Sequence, residues 1–203
     1  MYGRNAVLIV GTSRDPKDVL VRQFIIEQMK KGTSVLYVLL QGHADHAISA
    51  LIGQGANLSE KNFRLIDCTS KNGTGKHPFV HQLDDDNELV AINAALTDAL
   101  RAFGDNAAVA FDAVTPLLLR HRLSLLRKFF ELMTLKLNVA GASRFFLVDS
   151  DKLLQKHLDV LTGLTDKTVM FGRDKSGTFI MINNEQRIGY RQHHDAIEFQ
   201  DEW

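Results

Sequence analysis

Near its N-terminus the chain reads Ala6-Val-Leu-Ile-Val10-Gly11-Thr-Ser-Arg-Asp-Pro-Lys17-Asp18, and this stretch decides the fold. The apolar run from Ala6 to Val10 is typical of a strand that is buried on both faces of a sheet. A helix is predicted from Asp15 to Lys31, because apolar side chains recur there at helical spacing and Gly32 supplies a stop. The stretch therefore predicts a strand, a short loop and a helix in direct succession.

The loop after this strand aligns with the phosphate-binding pattern G-x-x-x-x-G-K-[ST] but departs from it at two positions. Gly11 and Lys17 match the first glycine and the lysine. Pro16 replaces the second glycine and has no backbone N–H to offer a phosphate oxygen. Asp18 replaces the hydroxyl residue and puts a carboxylate where Mg²⁺ would sit beside phosphates. The loop therefore predicts a nucleotide site that has lost part of its chemistry.

Strand and helix patterns alternate along the rest of the chain, and a charged turn at Arg173–Gly177 indicates a closing hairpin. The predicted strands are Ser34–Leu40, Phe63–Asp67, Ala107–Asp112, Ser143–Asp149, Lys167–Phe171 and Thr178–Ile182, and the predicted helices are Asp45–Gly55, Glu88–Phe103, Leu117–Leu137 and Asp151–Leu161. Such alternation requires a mainly parallel sheet with helices on both faces. The prediction is an α/β fold of three layers (αβα), with a C-terminal antiparallel hairpin at one sheet edge. Residues 1–203 are expected to form a single domain.

The least regular region covers residues 69–87 and contains Lys71-Asn-Gly-Thr-Gly-Lys76 and Asp84-Asp-Asp86. Its length predicts a functional or a mobile loop. Gly73-Thr-Gly-Lys76 has only a superficial likeness to a phosphate loop, because it runs into His77-Pro78 instead of a helix.

Bulk composition excludes several classes of function. Basic and acidic residues number 24 each, so a net charge of zero argues against binding nucleic acid or an anionic membrane through overall charge. No apolar run is long enough to span a membrane and no signal-peptide pattern precedes Ala6, so a cytoplasmic protein is expected. A single cysteine, Cys68, excludes an internal disulfide and a multi-thiolate metal site. Its place at the end of an apolar strand favours a buried structural thiol over a nucleophile.

In order and spacing, these segments together resemble the RecA-like ATPase core, most closely its KaiC-like branch. The resemblance covers nearly the whole chain, and four segments carry it: Val7–Gly11 with Lys17 at the expected spacing, Lys31–Val38 as the second strand after a glycine turn, Ala108–Asp112 as the Walker B strand, and Thr165–Asp174 as the closing strands. The resemblance implies a RecA-like sheet. It also implies that Gly11, Lys17, Asp18 and Asp112 mark the position of the family's nucleotide site.

The departures from the family carry the functional prediction. Active members have paired acidic residues after the second strand that activate the attacking water, whereas Gln41 and Gly42 stand at the matched positions here. Glutamine can orient a water but cannot accept its proton. Only five residues precede Ala6 in this sequence, so we do not expect the adenine-pocket and subunit contacts that the lead-in before the first strand makes in relatives. We expect no catalytic residue and no cofactor, and a regulatory or protein-interaction module that binds a protein partner or forms a homo-oligomer.

Two alternatives stay open. The first is a sensor that binds ATP or ADP weakly without hydrolysing it, through Gly11, Lys17 and Asp112. The second is an enzyme with a rebuilt site at the same sheet edge, since ligands of open α/β sheets lie beyond the carboxyl ends of the strands. The residues expected to converge at that edge are Asp15, Asp18, Gln41, His43, Asp112 and Asp149.

For two of these residues a structural role competes with a functional one. Lys17 is either a phosphate contact or a solvated lysine in the first turn of a helix, where Asp15 and Asp18 are favoured by the helix dipole and placed to pair with Lys17 or Arg14. Asp112 is either a Mg²⁺ ligand through water or a carboxylate held by neighbouring backbone N–H groups.

Histidines and a basic helix give weaker signals. His43 and His46 lie three residues apart, as a metal pair on a helix would, but two ligands do not make a site and surface histidines are expected; the pair His193-His194 is treated in the same way. The helix Leu117–Leu137 carries the basic residues Arg120, His121, Arg122, Arg127 and Lys128. We interpret them as the outer face of an amphipathic helix, with no nucleic-acid site expected and a protein partner left open. Phe129-Phe130 point in adjacent directions, so one is expected to be less buried than the other.

Overall fold

The computed structural model describes residues 6–69, 77–83, 88–104, 106–194 and 196–200. The predictions for Lys71–Lys76, Asp84–Asp86 and the residues before Ala6 lie outside these ranges.

Strands and helices alternate as the sequence predicts. The strands are β1 (Ala6–Gly11), β2 (Ser34–Leu39), β3 (Phe63–Asp67), β4 (Val80–Gln82), β5 (Ala107–Asp112), β6 (Ser143–Asp149), β7 (Lys167–Asp174), β8 (Gly177–Ile182), β9 (Gln186–His193) and β10 (Ala196–Phe199). The helices are α1 (Lys17–Lys30), α2 (Ala44–Gly53), α3 (Glu88–Phe103), α4 (Thr115–Arg120), α5 (Leu123–Val139) and α6 (Gln155–Thr162).

All ten strands belong to one sheet, in the order β10-β9-β8-β7-β1-β6-β5-β2-β3-β4. The strands from β7 to β4 in this order pair in parallel, and β8, β9 and β10 extend the sheet in antiparallel pairing. The predicted αβα architecture with an antiparallel C-terminal hairpin is therefore confirmed.

The two larger apolar cores lie on opposite faces of the sheet. One is built from α1 and α2 against residues such as Ile9 and Tyr37, and the other from α3 to α6 against residues such as Leu8 and Phe111. Neighbouring residues of β1 therefore point to opposite layers, which is why this strand reads as a continuous apolar run.

The predicted helix Leu117–Leu137 is wrong as a single element, because the chain leaves helical geometry at His121 and Arg122. Glu88, in the first turn of α3, holds this break: one carboxylate oxygen accepts a hydrogen bond from Arg120 at 2.7 Å, and the other lies 3.0 Å from Nε2 of His121. A contact between residues this far apart in sequence leaves no local signal. Phe129 is 8% exposed and Phe130 is 0% exposed, so one is slightly less buried than the other, as expected, but both side chains lie in the core.

Two further predictions differ from the structure. A helix is predicted over Asp151–Leu161, but the structure has a single 3-10 turn at Ser150–Lys152, and α6 begins only at Gln155. The chain also continues past the predicted hairpin into β9 and β10. The sequence does contain a local signal for β9, namely the pair Asn183-Asn184. Asparagine tolerates positive φ, and both residues adopt it in the tight turn between β8 and β9.

Candidate functional site

The carboxyl ends of β1, β6, β5 and β2 are adjacent in the sheet, and a cavity of about 240 Å³ opens there. Its lining residues are Ser13, Asp15, Lys17, Asp18, Gln41, Gly42, Asp112, Ala113, Leu147, Asp149 and Lys152. The side chains that the sequence predicts at this edge therefore do converge there, with the exception of His43. His43 is exposed at the start of α2.

The loop between β1 and α1 is closed around its own side chains. The carboxylate of Asp15 accepts hydrogen bonds from the backbone N–H of Thr12 at 2.6 Å and from the hydroxyl of Thr12 at 2.9 Å. Gly11 permits this close packing, because a Cβ atom there would lie 3.1 Å from Asp15 and from Cδ of Lys17. A carboxylate thus binds a backbone N–H that a phosphate loop would offer to its ligand.

A second carboxylate reaches the same loop from the far side of the site. The backbone N–H and the hydroxyl of Ser13 donate to Asp151 at 2.9 and 2.8 Å. Asp151 belongs to the 3-10 turn that follows β6, and these hydrogen bonds account for that turn replacing the predicted helix start. They hold the pKa of Asp151 below its ordinary value, so the carboxylate is charged at neutral pH.

The remaining backbone N–H groups of the loop are also satisfied. That of Arg14 donates to the hydroxyl of Thr12, that of Asp15 to the carbonyl of Thr12, and that of Lys17 to the carbonyl of Asp15. Pro16 has none to donate. Each available N–H from Thr12 to Lys17 therefore has an acceptor within the protein.

The side chain of Lys17 is turned inward. It is buried, with the whole residue only 6% exposed. Its ammonium group donates to the carbonyl of Thr12 and lies 3.1 Å from Oδ1 of Asp149. The interpretation of Lys17 as a solvated lysine is wrong, and so is its expected pairing with Asp15 or Asp18.

Asp149, at the end of β6, forms ion pairs with two lysines, Lys17 and Lys152. Its second carboxylate oxygen lies 2.9 Å from Nζ of Lys152, and its backbone N–H donates to the hydroxyl of Thr115. Sequence reasoning placed Asp149 at this edge but missed Lys152. Its spacing of three residues from Asp149, directly after a strand, was the available signal.

Asp18, which aligns with the hydroxyl residue of the phosphate-loop pattern, pairs along its own helix. Its carboxylate accepts a hydrogen bond from Arg22 at 2.7 Å, one turn further along α1. The carboxylate is half-exposed, whereas the guanidinium of Arg22 is mostly buried.

Asp112, at the end of β5, is held by a side chain and not by backbone N–H groups. The hydroxyl of Tyr37 donates to Oδ2 of Asp112 at 2.9 Å. Tyr37 pairs with Ala110 in the neighbouring strand, so its ring extends toward the residue two positions further along the same face. Burial raises the pKa of Asp112 to about 6, with the hydrogen bond from Tyr37 opposing and nearby Asp18 adding to the increase. Burial and Asp112 also raise the pKa of Tyr37, which keeps its hydroxyl protonated as the donor.

Other candidate residues do not join the cavity. His43 and His46 are exposed, as expected. Within the described ranges, no three histidine, cysteine, aspartate or glutamate side chains are grouped as metal ligands would be. Cys68 is partly buried, and burial with a smaller contribution from Glu88 raises the pKa of its thiol to about 12, so it is a protonated thiol at neutral pH. Among the helices that the structure describes, none combines the length and apolar character needed to cross a bilayer.

Comparison with solved structures supports the fold. An uncharacterized protein from Pyrococcus horikoshii (PH0321), solved in complex with an unknown peptide, superimposes with a TM-score of 0.74 at 14% identity, over 100% of this chain and 94% of that chain. The KaiC-like protein PH0186 from Pyrococcus horikoshii OT3 superimposes with a TM-score of 0.70 at 13% identity, over 97% of this chain and 89% of that chain. The chain therefore has the RecA/KaiC-like fold that its sequence resembles.

Comparison of sequences places the chain in a family. No curated protein matches it significantly. Residues 4–171 match a family of unknown function, DUF7504. The match covers most of the chain, which therefore belongs to the DUF7504 family.

Proposed function

We propose that this chain is a RecA/KaiC-like domain that does not hydrolyse ATP and serves as a regulatory or protein-interaction module. In this proposal Gly11, Lys17, Asp18 and Asp112 mark a vestigial nucleotide site. The observation that carries it is the occupied loop: carboxylates of Asp15 and Asp151 bind the N–H groups of Thr12 and Ser13.

Charge at the loop supports the proposal. A phosphate would have to displace two carboxylates and then lie beside them, which is unfavourable by Coulomb repulsion. Lys17 would have to leave Asp149 to reach the phosphate, at the cost of separating a buried ion pair. The size of the cavity adds to this, since about 240 Å³ falls below the roughly 300–1,000 Å³ of typical small-molecule sites.

The groups that would be needed for hydrolysis also differ. Asp18 is engaged with Arg22 and supplies no hydroxyl to a metal ion. Gln41 and Gly42 face the cavity where active relatives are expected to carry acidic residues. Loss of the base and of the metal ligand together would cost several orders of magnitude in rate.

The interaction role has its own support. PH0321, which has the same fold, was solved in complex with an unknown peptide. Among the residues that the structure describes, half of the large apolar side chains that are most exposed lie on α4 and α5: Leu119, Leu125, Leu132, Leu135 and Val139. Apolar side chains gathered on one surface mark interaction sites more often than scattered ones do.

ATPase and thermal-shift assays on the purified protein test the proposal. We expect no phosphate release with ATP and Mg²⁺, and no rise of the melting temperature at millimolar ATP or ADP, because a ligand that binds only the native state must raise it. Hydrolysis that is abolished in a Lys17→Met variant would overturn the proposal. The same assay separates the alternative of a nucleotide sensor, which predicts a melting-temperature rise without hydrolysis and loss of that rise in Lys17→Met.

A further inference from the structure

Helix α5 has a second apolar face that points away from the core. Leu125, Leu132, Leu135 and Val139 are 51%, 59%, 61% and 79% exposed. The core side of the same helix is formed by other residues, namely Leu126, Phe129, Phe130, Met133 and Leu137. Burial within this chain therefore does not account for the exposed leucines.

The spacing of this face is that of a helix–helix seam. With the exposed Lys128, the four residues occupy positions 125, 128, 132, 135 and 139, which alternate steps of three and four. This is the a/d pattern of a coiled coil, in which a narrow apolar stripe packs against a partner helix. We call these five residues the outer seam. It runs for about 21 Å along the helix.

We propose that the outer seam of α5 pairs with the same seam of a second copy of this chain, antiparallel and about a two-fold axis. The inference rests on the proposed function as an interaction module and names the partner. A two-fold interface uses one surface twice, so the surface must complement itself.

Four residues of the seam, all but Val139, complement one another in the antiparallel direction. Packing a positions against d positions brings Leu125 opposite the partner's Leu135, and Lys128 opposite the partner's Leu132. The partner's Glu131 is adjacent to that leucine, within reach of the Lys128 ammonium. Glu131 is exposed beside the seam, so two equivalent ion pairs form, one on each side of the axis.

Charge also favours the antiparallel orientation of the two helices and a second copy of this chain as the partner. In a parallel pair each Lys128 would face the partner's Lys128 across the seam, which is unfavourable. A charge within the seam disfavours every alignment that leaves it unpaired, so Lys128 helps to fix the register. The antiparallel homodimer gives this lysine a counter-charge from the same helix of the second copy, without requiring an acidic partner of another kind.

Sedimentation equilibrium tests the dimer. We expect wild type to dimerise and Leu132→Glu to be monomeric, with a dissociation constant raised by at least about thirtyfold because a buried leucine is replaced by a charge. Ile52→Glu is the matched control, since Ile52 is a similarly exposed apolar residue on α2, at 52%. Both variants should keep the wild-type melting temperature at concentrations where the protein is monomeric, because each site is exposed in the monomer.

Exchange of charges tests the register. Lys128→Glu and Glu131→Lys should each weaken the dimer by about tenfold, and the double variant should recover wild-type association, because the pairs are rebuilt with reversed sign. Recovery of association by the double variant distinguishes a specific antiparallel interface from nonspecific hydrophobic association of the leucines.

Cross-linking tests the direction. A Leu125→Cys, Leu135→Cys double variant should form disulfide-linked dimers under mild oxidation, whereas Leu125→Cys alone should not, because the two introduced thiols then lie far apart on opposite sides of the axis. A monomeric wild type, or cross-linking through position 125 alone, overturns the proposal. Binding of the seam to a different protein while wild type stays monomeric overturns it as well. Nucleotide assays on Leu132→Glu report separately on the proposed function.

Discussion

The ammonium group of Lys17 lies 3.1 Å from the carboxylate of Asp149, across the ends of two adjacent parallel strands. Gly11 and Asp149 are register partners, so the lysine that follows the loop is brought back over the neighbouring strand. Both side chains are at least nine-tenths buried. The lysine of a phosphate-loop pattern thus has its counter-charge inside the protein.

We expect this ion pair to contribute strongly to stability, because removing one partner leaves the other charge buried without compensation. Asp149→Asn should lower the free energy of unfolding by about 3 kcal/mol. Lys152→Met is the matched comparison: it removes the other lysine of Asp149, whose side chain is 41% exposed, and should cost less than about 1 kcal/mol. Urea denaturation measures both values. Equal costs for the two variants would contradict a dominant role of the buried pair.

We expect the carboxylates of Asp15 and Asp151 to prevent anions from binding to the loop between β1 and α1. Asp15→Ala with Asp151→Ala frees the N–H groups of Thr12 and Ser13, and the variant should gain thermal stabilisation from millimolar inorganic pyrophosphate that wild type lacks.

A matched control exists in the hairpin between β7 and β8. Asp174 accepts hydrogen bonds from the backbone N–H and the hydroxyl of Ser176, at 2.8 and 2.6 Å, as Asp151 does from Ser13. Asp174→Ala should therefore not gain a pyrophosphate response. A response of equal size in this control would indicate a nonspecific effect of charge and would refute the prediction.

Sequence predicted the edge of the sheet at which polar residues meet, but not how they pair. Asp112 and Asp149 each end a buried apolar run, and parallel strands bring such ends together, so their convergence follows from the pattern alone. The partner of Lys17 depends on which strand lies beside β1 and in which register, and neither is encoded locally. The hydrogen bond from Tyr37 to Asp112 depends in the same way on pairing between β2 and β5.

Because the pKa of Asp112 is raised in the folded state, the free energy of unfolding should decrease as the pH rises. Its folded-state pKa of about 6 exceeds the ordinary value of 3.8. The native state therefore binds the proton more tightly than the unfolded state does. The stabilisation from this shift is on the order of 3 kcal/mol. It is fully present only well below pH 3.8, and it is lost as the pH rises through about 6.

Comparison with Asp112→Asn isolates this contribution from the other carboxylates. The stability of the variant relative to wild type should grow by on the order of 2 kcal/mol between pH 4 and pH 7, as measured by urea denaturation across that range. Tyr37→Phe should shift the window to higher pH, because the Tyr37 hydrogen bond lowers the pKa of Asp112. Parallel pH profiles for wild type and Asp112→Asn would refute the assignment.

The turn between β8 and β9 offers a test of backbone conformation. Asn183 and Asn184 have φ values of 52° and 60°, and the N–H of Glu185 donates to the carbonyl of Ile182 at 3.0 Å, as in a type I′ turn. Glycine adopts positive φ without the steric cost that Asn184 bears. Asn184→Gly should therefore stabilise the protein by about 0.3–0.5 kcal/mol.

Asn183 supplies the control, because its side chain also forms a hydrogen bond. The Oδ1 of Asn183 accepts a hydrogen bond from the backbone N–H of Thr168 at 2.9 Å. Asn183→Gly relieves the same backbone strain but removes that acceptor, so it should lower stability by about 1 kcal/mol. Thermal unfolding of the two variants in the same buffer measures the difference. If both glycines stabilise alike, the Asn183 side chain contributes nothing to the junction of β7 and β8, and the backbone alone governs the turn.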